Sequence, residues 1–207
     1  MTGTFDSATH EYRIDGVLVP SLTQMLAADG WNDHLWKVPA GVLERKRDWG
    51  TRLAYVLHMR DWGEMDDWSE ADWEPYSEFA PHIAAWDALC YSREWLTWEH
   101  MEQPIYVRRD GRMWAFTPDR MSPQAVVEIK GTCRPYPAHQ LQTALQVIGA
   151  GYSRSTPRYA AYFDRGGYKK TVEHGPKMVV NGDCLDVFDE AERILWEHAL
   201  EEHDDND

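Results

Sequence analysis

The chain predicts an α+β fold, a central mixed sheet with a three-strand meander, flanked by helices. Three observations carry that prediction. A length of 207 residues suits one domain with a sizeable core. The 43% hydrophobic and 27% charged residues are the composition of an ordinary globular protein. The hydrophobic period then changes along the chain, from helical spacing to short apolar or alternating runs and back to helix. The domain is expected over residues 1–200, followed by an acidic disordered tail, Glu201–Asp207.

Glu11 to Pro20 alternates around Asp15-Gly16, a dipeptide suited to a tight hairpin turn. Ser21 can cap a short helix through Ala28, which Gly30 ends. A longer helix opens at Pro39 and runs to about Asp61, with Val42, Leu53, Val56 and Leu57 on one side and Gly50 interrupting it. Pro81 to Glu99 reads as a second long helix, because Ile83, Trp86, Leu89, Trp95 and Trp98 recur at helical spacing. Pro104–Arg108 and Arg112–Thr117 read as strands joined at Asp110-Gly111, and Ala125–Lys130 as a third. A helix over Pro137–Ala150, strands at Arg158–Asp164 and Gly167–Thr171, and an amphipathic helix over Leu185–Leu200 complete the chain.

A net charge of −14 argues against an open phosphate-binding surface, which needs Lys and Arg to displace counterions. The acidity is concentrated, however. Eight acids and no base lie in Asp61–Phe79, and five more in the tail, whereas bases outnumber acids by seven between Ile105 and Val180. Trp86, Trp95, Trp98 and Trp196 are assigned to packing. Trp62, Trp68 and Trp73 sit among the acids, and that stretch is expected to border a cleft as a lid or a partner surface. Cys90, Cys133 and Cys184 are scattered and odd in number, which fits a reducing compartment and no disulfide framework. No run reaches the apolar length of a membrane span, and no basic-then-apolar leader pattern opens the chain. The expectation is a cytoplasmic protein that does not use a membrane.

The chemistry is concentrated in Trp114–Lys130. Glu128 and Lys130 are two apart on one predicted strand and share a face, with Ile129 pointing into the core. If the strand pairs with its predecessor through the Met121–Gln124 turn, Asp119 lands beside Glu128. Two carboxylates and the Ile129 carbonyl are hard oxygen ligands of the kind Mg²⁺ or Mn²⁺ takes, and Lys130 beside them suits phosphodiester hydrolysis. Alternating charges on a surface strand give the same spacing. The apolar setting of this strand, and Pro118 just before the acid, are what single it out.

These residues resemble the PD-(D/E)XK nuclease superfamily, in particular its RecB-like and lambda-exonuclease-like group. His10–Ser21 with Leu22–Leu26, Glu102–Tyr106 with Thr117-Pro118-Asp119-Arg120, Glu128-Ile129-Lys130, His139–Leu145, Asp164–Tyr168 and Asp186–Trp196 carry the likeness, which spans nearly the whole chain. It implies a restriction-endonuclease-like core and a metal-dependent deoxyribonuclease, an exonuclease acting at DNA ends in phage or recombination and repair processes. Asp119, Glu128 and the Ile129 carbonyl would be metal ligands, Lys130 the catalytic lysine and Gln142 an active-site polar residue. The implied cofactor is Mg²⁺ or Mn²⁺, and the implied partners are DNA and a recombination protein. The alternative is a catalytically inactive member serving as a nucleic-acid- or protein-binding module.

Two departures stand out. Ala54 in Gly50-Thr51-Arg52-Leu53-Ala54 stands where the group has a metal-binding histidine. His58, one turn later, could replace it, or Glu64 could, or His58 is an ordinary helix histidine. Phe116 stands where the group often has glycine and would narrow the cleft. Three cysteines cannot supply four ligands, so no iron–sulfur cluster is expected. Arg108, Arg120 and Arg134 are candidate phosphate contacts, and Tyr136 a candidate stacking residue. His139 and Gln146 share a stripe with Gln142 and read as a solvated polar face.

Overall fold

A small antiparallel unit opens the chain in a computed structural model that describes residues 1–31, 38–95, 97–132 and 134–202. It consists of β1 (Gly3–Asp6), β2 (Glu11–Ile14) and β3 (Val17–Val19), the last two joined at Asp15-Gly16 with φ of +50° and +84°. Positive φ at both positions is what a tight two-residue hairpin demands. Ser21 then caps α1 (Leu22–Ala28) in a reciprocal box with Gln24. The long helix α2 (Ala40–Trp62) passes through Gly50 without a break and ends at Gly63, φ +76°.

The acidic stretch forms a 3₁₀ turn at Glu64–Asp67, the one-turn helix α3 (Glu70–Trp73) and a second 3₁₀ segment at Glu74–Phe79, leading into α4 (Ala80–Ser92). The expected helix over Pro81–Glu99 is thus too long. Its spacing continues past Ser92 only because the chain turns at Glu94, φ +57°, and folds Trp95 back to 6.4 Å from Trp86 and 5.0 Å from Tyr159. Burial of the same aromatic face is achieved by a loop instead of a further turn of helix.

β4 (His100–Met101), β5 (Ile105–Arg109), β6 (Arg112–Phe116), β7 (Arg120–Ser122) and β8 (Ala125–Lys130) follow, then α5 (Pro137–Ala150), β9 (Arg158–Asp164) and β10 (Gly167–Glu173). The chain closes with β11 (Lys177–Val180), β12 (Asp183–Asp186), α6 (Val187–His198) and β13 (Leu200–Glu201). The fold is α+β around a mixed five-stranded sheet, ordered β10-β9-β8-β7-β4, in which β8 and β9 alone run parallel. The meander is divided: β5 and β6 pair in a separate sheet with β13, and the Thr117–Asp119 linker carries the chain from β6 to β7. Leu200–Glu201 is therefore paired strand and not tail, and residues 203–207 lie outside the described residues.

β8 is buried on both faces, as the inner strand of a sheet covered on both sides should be. Val126 packs with α1, α5 and α6, while Val127 and Ile129 pack with α2 and α4. Glu128 and Lys130 share the parity of Val126 and so face α5. Gly149 lets α5 approach closely, since a side chain there would begin 2.5 Å from the Phe116 ring. Phe116 is itself core, 3% exposed. Trp196 departs from the packing assignment: it is exposed, with the Arg112 guanidinium 5.1 Å over its ring. Among the described residues, no helix is long and apolar enough to cross a membrane.

Candidate active site

The pairing of β7 with β8, Arg120 with Val127 and Met121 with Val126, brings Asp119 opposite Glu128 by continuation of the register. The Ile129 N–H donates to Asp119 Oδ2 at 2.6 Å. The Ile129 carbonyl leaves the strand on the same side as its N–H, so it too faces the acid. Glu128 is 2% exposed, and both its oxygens are occupied. Oε2 accepts from Lys130 Nζ at 2.6 Å and Gln142 Nε2 at 2.8 Å, and Oε1 accepts from Gln146 Nε2 at 2.5 Å. Lys130 Nζ also donates to Gln142 Oε1 at 2.8 Å. Asp119, Glu128, Ile129, Lys130 and Gln142 are thus brought together as expected.

Two members were missed. Gln146 lies one turn after Gln142 and is 1% exposed, so the solvated-face reading of it is wrong. A glutamine between Leu145 and Val147, four residues from Gln142, was the available signal. His139 is likewise engaged, its Nδ1 2.9 Å from the Tyr162 hydroxyl. The second missed member is Glu102, held by its own N–H to the Pro118 carbonyl at 3.0 Å, with φ +51°. Glu102 opens the Glu102–Tyr106 stretch that carries the likeness, but no local period marks it as a site residue; its position depends on a linker folding against Pro118.

The three carboxylates crowd one another. Burial, then Glu128 and Glu102, push Asp119 well above the ordinary carboxylate range, against the pull of Lys130 and the Ile129 N–H. Burial raises Glu102 to about 7, the Arg120 charge opposing and Glu128 reinforcing. Burial would lower Lys130, but Glu128 and Asp119 outweigh it and keep the amine protonated. Four carboxyls, Asp119, Glu128, Glu102 and Asp61, share two cations, Lys130 and Arg120, which leaves an excess of acids; Glu102 Oε1 lies 3.7 Å from the Arg120 guanidinium and has no hydrogen-bond partner among the described residues. All-oxygen donors with such an excess fit a hard divalent cation, with Asp119, Glu128 and the Ile129 carbonyl as holders; Glu102 does not stand at common ligand spacing with both acids.

Of these groups, Glu102, Asp119, Gln142 and Gln146 line a cleft of about 320 Å³, and Glu128 and Lys130 are not among its lining. Phe5, His10 and Tyr12 of the opening hairpin form one wall, and Ser21 to Thr23 another. The Tyr12 hydroxyl, 2.9 Å from Thr117 Oγ1, ties the hairpin to the linker bearing Asp119. Phe116 lines the floor from within the core and does not project across the cleft.

Other expected residues lie elsewhere. Arg120 is 0% exposed and contacts no solvent. Its Nε donates to Asp61 Oδ2 at 2.5 Å and its Nη1 to the Asp119 carbonyl at 2.6 Å, so it braces the site from behind. Arg108 is bound by Asp15 and Glu202 at 3.0 and 3.3 Å, near the β5–β6 turn and away from the acids. His58 sits among Arg120, Asp61 and Glu64 with its ring 4.8 Å from Trp62, and burial and Arg120 lower its pKa. Among the described residues no imidazole joins Asp119 and Glu128 at metal-ligand spacing, which leaves His58 without the expected role. Arg134 is exposed and Tyr136 packs at 5.5 Å on His139, both in the segment after β8. The acidic stretch packs over α2 and α4, and the cleft lining includes none of its residues, contrary to expectation.

No family model matches the chain, and no curated protein does. A crystal structure described as that of SSO0001 is 15% identical, covering 86% of this chain and 84% of that one, with a TM-score of 0.32.

Proposed function

We propose that this protein is a metal-dependent nuclease of PD-(D/E)XK type that hydrolyses phosphodiester bonds in DNA, acting at ends. The observation that carries the reading is Glu128 fixed by Lys130, Gln142 and Gln146 directly across from Asp119, with Asp119, Gln142 and Gln146 lining an open cleft. Asp119, Glu128 and the Ile129 carbonyl would hold Mg²⁺ or Mn²⁺. When bound, such an ion polarises the phosphoryl group and lowers the pKa of water.

The protein's own groups do the rest. Lys130 remains an ammonium, so it orients a water by hydrogen bonding and offsets charge growing on the phosphate; it does not act as the proton acceptor. Gln142 holds Lys130 and Glu128 at once, which fixes both against the thermal freedom of a long lysine side chain. Arg120 pins the Asp119 backbone and so sets that carboxylate's position. A second reading, a binding module without catalysis, is favoured by the lack of an imidazole at the acids. Incubating linear DNA with the protein and Mg²⁺ or Mn²⁺ separates the two. The nuclease digests it, and Asp119→Ala or Lys130→Ala lowers the rate by roughly 10²-fold or more. Equal inactivity of wild type and variants with both metals overturns it.

A further inference from the structure

Cations in this acidic chain are mostly neutralised: Arg52, Arg60, Arg108, Arg154 and Arg193 each pair with a carboxylate. Arg47, Arg134, Lys170 and Lys177 are exposed outside such pairs, and so are Arg45, Lys46 and Arg165, which differ in sharing one hollow. All three are exposed, and none has an ion-pair partner among the described residues. Together they line one hollow of about 270 Å³. Its carboxylate, Asp164, is already taken by Lys169 Nζ at 3.1 Å and the Gly166 N–H at 2.8 Å.

The place of this hollow is set by the fold. β8 and β9 run parallel, Lys130 opposite Tyr162, so the chain leaves both strands at one edge of the sheet. Arg165 follows one strand there, and Gly131, next to Lys130, follows the other. A side chain on Gly131 would begin 3.3 Å from the Trp49 ring and 3.4 Å from Gly50 Cα. Its absence lets α2 cross this edge, and Arg45 and Lys46 precede Trp49 by one helical turn on the same face. Three like charges held together without a counter-ion repel one another, and a multiply charged oxyanion relieves that repulsion.

The geometry points to a second nucleic-acid subsite, in which Arg45, Lys46 and Arg165 hold a backbone phosphate of the strand whose scissile phosphate lies at Lys130. The inference rests on the nuclease reading for the identity of the strand. The hollow lies on the α2 side of the sheet edge and the acids on the α5 side, so a strand bound to both passes over the ends of β8 and β9. Ligands of open sheets with parallel strands gather at such carboxyl ends.

The test is fluorescence-anisotropy titration of a labelled single-stranded DNA oligonucleotide in EDTA, so that binding is read without cleavage. Arg45→Ala/Lys46→Ala/Arg165→Ala should bind at least tenfold more weakly, with a salt slope shallower by about 0.7, the value for one phosphate of a single strand. Arg165→Ala alone should weaken binding more than Lys177→Ala, which removes one exposed charge from β11. Circular dichroism checks that the variants fold, as substitution at exposed positions allows. Binding by the triple variant equal to wild type, or an effect no larger than that of equivalent charge loss at Lys177, overturns the subsite. Loss of binding in the triple variant together with no cleavage by wild type in Mg²⁺ or Mn²⁺ upholds the subsite and removes the nuclease reading.

Discussion

Glu102 illustrates how much of the site is decided one residue at a time. Its carboxyl is forced upward from 4.5 to about 7 by burial, with Glu128 adding to the effect and Arg120 working against it. A carboxyl whose folded pKa is raised binds its proton more tightly in the native state than in the unfolded chain. Stability therefore falls as pH rises from about 4.5 to about 7, and is lowest above that window. Asp119 acts in the same direction. His174, pushed down to about 3 by burial, and His58, also lowered, act in the opposite sense over this window, so the effect is read as a difference: relative to Glu102→Gln, the wild-type protein in EDTA should lose about 1–2 kcal/mol of stability between pH 5 and pH 8 on chemical denaturation. Equal slopes in the two proteins would place the titration elsewhere. The same crowding explains which residues were legible in sequence. Asp119, Glu128, Lys130 and Gln142 follow from strand and helix periods, which are local. Glu102 does not, because it arrives through a turn whose geometry depends on the Pro118 carbonyl accepting its N–H.

At the scale of elements, α5, β8 and β9 coincide with their expected bounds because each buries a continuous apolar face with unambiguous ends. The β11–β12 hairpin is absent from the elements that the hydrophobic periods predict, although Asn181-Gly182, with φ of +52° and +94°, is a strong two-residue turn signal. Its strands are only half apolar, so the period is faint and the turn dipeptide carries all the information. Helix α5 matters most for function, since it delivers Gln142 and Gln146 to Glu128. Its approach is set by Gly149, where a side chain would begin 2.5 Å from the buried Phe116 ring and 3.3 Å from Trp114 Nε1. Gly149→Ala should cost about 1–3 kcal/mol through overpacking, offset in part by the helix preference of alanine. Displacing α5 also loosens the glutamines on Glu128, so cleavage should fall by more than the loss of folded protein explains. Urea unfolding beside rates per folded molecule separates the two effects, and unchanged rates would show that α5 has room to shift.

The charge of the whole molecule is a poor guide to its surface, and even the basic excess between Ile105 and Val180 misleads. Arg120 and Arg158 from that stretch are buried, while Arg108, Arg112 and Arg154 are paired with acids. What remains exposed outside ion pairs in that stretch is Arg134, Arg165, Lys170 and Lys177, and Arg165 shares its hollow with Arg45 and Lys46 from a helix far earlier in the chain. The acidic stretch enters differently from the expectation that it borders the cleft. It begins where α2 ends, and Lys46 to Trp62 spans about 24 Å of helix at 1.5 Å per residue, whereas its later part folds back beside α2, with Glu78 2.9 Å from Arg52 and the Phe79 ring 5.7 Å from Trp49. The first distance is about three Debye lengths at 0.15 M salt but within one at 0.01 M. Neutralising Glu64 and Asp67, in the turn that directly follows α2, should therefore leave DNA affinity in EDTA unchanged at 0.15 M salt and tighten it several-fold at 0.01 M. Both are exposed, so the fold should tolerate the change. A tightening that persists at 0.15 M would mean that the strand runs directly over the acidic stretch, because only contact at short range escapes that screening.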